Sequence, residues 1–181
     1  SVSERPLHLV FVSMPFGGIE VYWKNLRRRI EGRTDMRSTW ISIDWRDRET
    51  APLGRWLPWN WTLHGSLLAR SRILKIMEDG PVDALVLNHT IPAMGLWTIR
   101  KRVPVFISMD VTPEILEPFA DHYQMRRLFG SWSPTSIRDR WLHWVFATAA
   151  HVMPWSELVR ASLHRTYGVP EEKLTVVRPG I

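Results

Sequence analysis

Three short segments each follow an apolar run and carry groups suited to chemistry. The first is Phe16-Gly17-Gly18, just ahead of a helical pattern. Glycines let backbone approach a phosphate, and the N–H groups opening a helix offer unpaired donors. The spacing is neither Gly-x-Gly-x-x-Gly nor a P-loop, so dinucleotide and ATP binding lose their main support. A bare Gly-Gly also makes an ordinary turn. The second segment is Asn88-His89-Thr90. An imidazole there can hydrogen-bond a substrate hydroxyl or carry a proton, and it can equally pin the loop to a backbone carbonyl. The third is Asp110-Val111-Thr112. Asp110 can bind a substrate hydroxyl or act as a base, or it can satisfy N–H groups at the next helix start. Thr112 suits a helix cap there and is also a candidate for contact with a substrate phosphate.

Other chemistries are excluded or unsupported. There is no cysteine, which removes disulfides, thiolate metal sites and cysteine nucleophiles. The remaining six of seven histidines are scattered and show no metal-ligand spacing. With 24 Lys plus Arg against 18 Asp plus Glu, the net charge of +6 favours anionic partners. Phosphorylated substrates, anionic lipid and nucleic acid all qualify on charge alone. Eleven tryptophans are an excess, and Trp23, Trp40, Trp45, Trp56, Trp59 and Trp61 fall early, among arginines. Trp with Arg suits a bilayer interface, although core packing or stacking on a sugar is the commoner use of Trp. Arg27-Arg28-Arg29, Arg100-Lys101-Arg102 and Arg126-Arg127 read as solvated helix faces, with anionic lipid as the alternative contact.

The elements that must position these groups alternate. Strands are expected at Leu7–Ser13, Ser38–Ile43, Ala84–Leu87, Val105–Met109, His151–Met153 and Leu174–Val177. Ile19, Tyr22, Leu26 and Ile30 make a helical stripe that Gly32 ends. Further helices are expected over Leu67–Met77, over Met94–Arg102 and from Thr112-Pro113-Glu114. A stripe from Ile137 to Thr148 and a helix capped by Ser156 complete the set, while Asp44 to Trp61 reads as a long loop. Strand and helix repeating about six times predict an α/β Rossmann-like domain, a parallel sheet with helices on both faces. Ligands of such a sheet bind beyond the C-terminal strand ends, where all three polar segments fall.

The 181 residues suit one domain, and no stretch approaches the roughly 20 apolar residues of a membrane span. Ser1 to Pro6 lacks the marks of a secretory signal, so a cytoplasmic protein is expected and Asn60-Trp61-Thr62 and Asn88-His89-Thr90 are read as chance glycosylation triplets. A sheet that stops directly after a strand leads us to expect a longer protein.

The order of segments resembles the N-terminal domain of retaining, two-domain (GT-B) glycosyltransferases of family 4. Gly17-Gly18-Ile19-Glu20 resembles that family's Gly-Gly-x-Glu, and Val82 to His89 resembles its Asp, apolar strand and His segment. Val105 to Pro113 resembles the strand and loop facing the acceptor. The most specific stretch runs from Ala149 to Ile181, with Met-Pro-Trp-Ser, Tyr-Gly-Val-Pro and Arg-Pro-Gly-Ile. The resemblance implies that backbone at Gly17 and Gly18 approaches a donor diphosphate. It implies that His89 hydrogen-bonds the reacting sugar or acceptor near the transferred carbon. Asp110, where many relatives carry a histidine, would face the acceptor.

It further implies a hexosyl transfer from a nucleotide sugar to a sugar or lipid-linked acceptor, assisted by the leaving phosphate, with no protein nucleophile, metal or cofactor. The family's donor-binding residues lie in a C-terminal domain, so this domain alone is expected to fold and to be inactive. Its partners would be that domain and, at the inner face of the membrane, an anionic lipid surface, with no nucleic acid. Two alternatives are a non-catalytic Rossmann-like module docking on membrane or a phosphorylated ligand, and an epimerase of the same architecture.

Overall fold

The computed structural model describes residues 5–15, 19–44, 61–119 and 135–179. Strand β1, Leu7–Ser13, buries Val10 and Val12 toward one side of the sheet and Phe11 toward the other. A strand apolar on both faces belongs inside a parallel sheet, and β1 pairs in parallel with β2 (Met36–Ser42) and with β3 (Ala84–Leu87). Strands β4 (Val105–Met109) and β5 (His151–Pro154) extend the sheet beyond β3, giving the order β2-β1-β3-β4-β5. The C-terminal ends of all five strands therefore lie on one edge. The order reverses between β1 and β3, the switch point where such sheets open a crevice.

The two faces are built differently. Helices α2 (Trp61–Glu78), α3 (Thr90–Met94), α5 (Thr135–Thr148) and α6 (Glu157–Arg165) share one continuous apolar cluster with Val10, Val12, Leu85, Leu87 and Ile107. Gly95 sits where α2 and α3 approach most closely: a Cβ there would lie 2.4 Å from the Ser66 carbonyl oxygen. On the other face α1 (Ile19–Glu31) buries Trp23 against an aromatic sandwich. Trp40 stacks on Phe11 with centroids 4.1 Å apart, and Trp23 meets both rings edge-on at 5.5 and 5.7 Å. Such pairs contribute about 0.5–1.5 kcal/mol each beyond the area they bury. Trp23 and Trp40 are thus core residues. Trp45, Trp56 and Trp59, with all of the expected loop from Asp44 to Trp61 except its two end residues, lie outside the described residues.

Several boundaries differ from the sequence pattern. The expected helix over Met94–Arg102 is instead the short α3, a turn through Gly95 and a 3₁₀ turn over Ile99–Lys101, because Gly95 packs against α2. Helix α2 begins at Trp61, six residues before Leu67. The sheet has five strands, and the expected sixth at Leu174–Val177 makes one parallel bridge, Leu174 to Val152. It does run alongside β5, with Thr175 N–H donating to Val152 O (3.2 Å) and Val177 N–H to Pro154 O (2.9 Å). Arg100 is not solvated. Its guanidinium nitrogens are buried without a hydrogen-bond partner among the described residues, its Cζ lies 4.3 Å from the Trp144 ring centroid, and burial pulls its pKa down. Arg126 and Arg127 lie outside the described residues.

Candidate functional site at the C-terminal strand edge

Strand β3 ends at Leu87, and the next two residues turn the chain at the switch point. Asn88 is buried and works as a clamp. Its Oδ1 accepts from Met14 N–H (2.9 Å), and its Nδ2 donates to Met14 O (3.2 Å). The carboxamide thus pairs like a strand with the backbone leaving β1. Gly17 and Gly18 follow Met14 closely in sequence but lie outside the described residues, which resume at Ile19.

His89 occupies the N-cap of α3 with extended backbone (φ −151°, ψ 155°). Its Nδ1 accepts from Ile91 N–H at 3.1 Å. A ring nitrogen that accepts carries no proton, so the neutral ring is the Nε2–H tautomer, with a donor at Nε2. Burial lowers its pKa to about 4, which keeps the imidazole neutral at physiological pH. The Nδ1 bond to Ile91 N–H thus gives His89 a loop-pinning role at the start of α3.

Strand β4 is the neighbour of β3, with Leu87 paired to Ile107, so its end lies beside that of β3. Asp110 follows directly and is exposed. Partial burial pushes its carboxyl up from the usual range, opposed by its own backbone N–H and that of Val111. Thr112 is wholly buried. Its Oγ1 lies 2.7 Å from Ser162 Oγ and accepts from Ile115 N–H at 3.5 Å, as a cap to α4 (Pro113–Leu116). Ser162 donates onward to Glu114 at 2.5 Å, so the Thr112 hydroxyl donates to Ser162. Tyr167 joins this network: its hydroxyl accepts from Glu114 N–H at 3.2 Å. This network ties α4 to α6, and it sets Thr112 beneath the edge rather than on it.

Two features were missed by sequence reasoning. One is the Asn88 clamp, signalled only by a polar residue ending an apolar strand. The other surrounds Ser108, a buried hydroxyl in an otherwise apolar β4. Trp155, just past β5, donates Nε1–H to Ser108 Oγ at 2.8 Å, and Tyr22 of α1 packs on the Trp155 ring at 4.4 Å. Among the described residues no group of three or more His, Asp or Glu is placed to hold a metal ion. None of their helices is long and apolar enough to cross a membrane.

The edge thus places a neutral imidazole and a carboxylate just past the ends of adjacent strands, beside a switch point. This is equipment for binding hydroxyls and moving protons. No curated protein matches the chain. A family model described as Glycosyltransferase Family 4 matches residues 16–181, nearly the whole length. The chain belongs to Glycosyltransferase Family 4.

Proposed function

We propose that this domain forms the acceptor side of a glycosyltransferase that moves a hexosyl group from a nucleotide sugar to a sugar or lipid-linked acceptor, with retention. The observation that carries the reading is the pair His89 and Asp110, set on neighbouring strand ends next to the switch point. A neutral Nε2–H donates to a hydroxyl or oxyanion without adding charge, and Asp110 accepts from a non-reacting hydroxyl of the acceptor. Transfer proceeds on one face of the donor sugar, and the leaving phosphate takes the acceptor proton. No protein nucleophile, metal or cofactor enters this scheme. Gly17 and Gly18 supply backbone N–H groups to the donor diphosphate, and Thr112 supports the acceptor loop from beneath. A second, C-terminal domain completes the donor site, and without it the domain does not turn over.

The test is a transfer assay on the enzyme with both domains, using UDP-glucose and GDP-mannose and reading the product's anomeric configuration by NMR. Retained configuration supports the scheme. Inverted configuration overturns it, as does the absence of transfer from every common nucleotide sugar.

We place the enzyme in the cytoplasm, peripheral at the inner face of the membrane, without nucleic acid as a partner. On the outer side of the helical layer Arg70 lies 4.8 Å from the half-exposed Trp97 ring, and Lys101 and Arg102 are exposed nearby. Trp beside Arg and Lys suits an anionic interface. Sedimentation with phosphatidylglycerol vesicles, lost in high salt and absent with phosphatidylcholine, is the expected result.

A further inference from the structure

Ser108 poses a question of its own. It is a 5 % exposed hydroxyl on a central strand, facing away from the main apolar cluster. Its answer is Trp155, whose Nε1–H it accepts at 2.8 Å. That bond fixes the indole on the α1 side of the sheet, where Tyr22 meets it at 4.4 Å and 53°. The rings come from two separate elements, and both remain partly exposed. Burial also pushes the Tyr22 phenol up, with a smaller opposing pull from Ser108.

The strand register places this pair beside Asp110. Met109 pairs with Pro154, and Trp155 N–H donates to Met109 O at 2.8 Å. Asp110 and Trp155 are therefore the next residues on neighbouring parallel strands, about 5 Å apart in backbone. Asp110 thus leaves β4 at the level where Trp155 leaves β5. An aromatic pair braced by a buried hydroxyl thus stands next to an exposed carboxylate.

A six-membered polyhydroxylated ring has the complementary chemistry. It offers a patch of C–H groups on one face and hydroxyl donors around its rim. We propose that Tyr22 and Trp155 form a stacking platform for such a ring in the acceptor, with Asp110 accepting from a rim hydroxyl. Ser108 is the positioning residue that holds Trp155 flat. This rests on the transferase reading and adds to it the acceptor class and the residues that select it.

The experiment is saturation-transfer-difference NMR on this chain with methyl α-D-glucopyranoside, methyl α-D-mannopyranoside and myo-inositol, without donor. The expected result is stronger saturation of C–H protons on one ring face. Trp155→Leu and Tyr22→Leu should each weaken binding at least fivefold, and Tyr22→Phe should stay within twofold, because the ring persists. Ser108→Ala should weaken binding severalfold, with the indole N–H resonance of Trp155 shifted. Amide spectra confirm that each variant is folded, and Tyr22→Leu carries the test if Trp155→Leu is not.

No saturation of any of these rings overturns the platform, as does binding unchanged in the folded leucine variants. The transferase reading is scored apart, on the enzyme with both domains. Transfer with an unaltered acceptor KM in Trp155→Leu overturns the platform and leaves that reading intact. Ring binding by a protein that transfers nothing overturns the reading and keeps the platform as a carbohydrate site.

Discussion

The sheet carries a histidine and an aspartate at each end, and the two pairs are treated in opposite ways. At the N-terminal edge His8 is buried with both ring nitrogens engaged, Nδ1 donating to Pro81 O (3.0 Å) and Nε2 meeting Thr39 Oγ1 (2.9 Å). Asp83 there takes Arg5 at 2.8 and 2.7 Å and His8 N–H at 2.7 Å. Arg5 first, then that N–H, holds its carboxyl below the usual range. At the C-terminal edge Asp110 is exposed and pushed the other way. The protein bonds that depress Asp83 fasten β1 to the approach of β3. Asp110 forms no ion pair among the described residues, and in the proposed function it receives an acceptor hydroxyl. Under the proposed function the same two residue types serve structure at one end and ligand at the other, with strand direction setting which.

The largest expected effect falls on His89. In the enzyme with both domains, His89→Asn keeps an oxygen to cap Ile91 N–H but removes the Nε2–H donor. We expect kcat to fall about 100-fold or more, on the scale of losing one transition-state hydrogen bond, with acceptor KM changing far less. Steady-state kinetics decide this, and full activity in a folded variant would sink the role. Next comes Asp83→Ala, which should lower unfolding free energy by about 2 kcal/mol, the scale of a charged hydrogen bond to backbone. Urea denaturation measures the loss, and activity per folded molecule should not change. If turnover collapses instead, the two edges are not separable.

Asp110→Asn should reduce kcat/KM for the acceptor about tenfold while leaving stability almost untouched, the mirror image of Asp83. The smallest effect is a pH slope. His89 has a folded pKa near 4 against an ordinary value of 6.5. The unfolded chain binds the extra proton between those values, so stability is full above pH 6.5 and declines as pH falls toward 4. Protonation at Nδ1 also removes the cap on Ile91. His89→Asn should flatten that slope. Asp83 loses its own contribution only at lower pH, as its carboxylate takes up a proton. Imidazole ¹⁵N spectra add a sharper distinction, Nδ1–H for His8 and Nε2–H for His89.

The sequence made β1, β3 and β4 legible to the residue, because short apolar runs bounded by polar turns have few other uses. It also placed His89 and Asp110 at strand ends, since a parallel sheet puts them there automatically. Register and contact were not legible. Nothing in Asn88 says that its carboxamide pairs with Met14, because that bond spans 74 residues. Helix α3 stops early for a similar reason: Gly95 meets Ser66 of another helix. Thr112 was legible as a cap but not as buried, because its cover comes from Ser162. Local pattern gives elements, and side chains whose partners lie far along the chain escape it.

The central claim is that ligands meet this domain at the C-terminal edge. Its most direct test is a backbone amide NMR titration of the enzyme with both domains, adding UDP-glucose or GDP-mannose and then a methyl pyranoside. The account predicts shifts at Asn88, His89, Asp110 and Trp155, with His8 and Asp83 unmoved. Shifts centred on His8 and Asp83, or a silent C-terminal edge in an enzyme that is turning over, would contradict it.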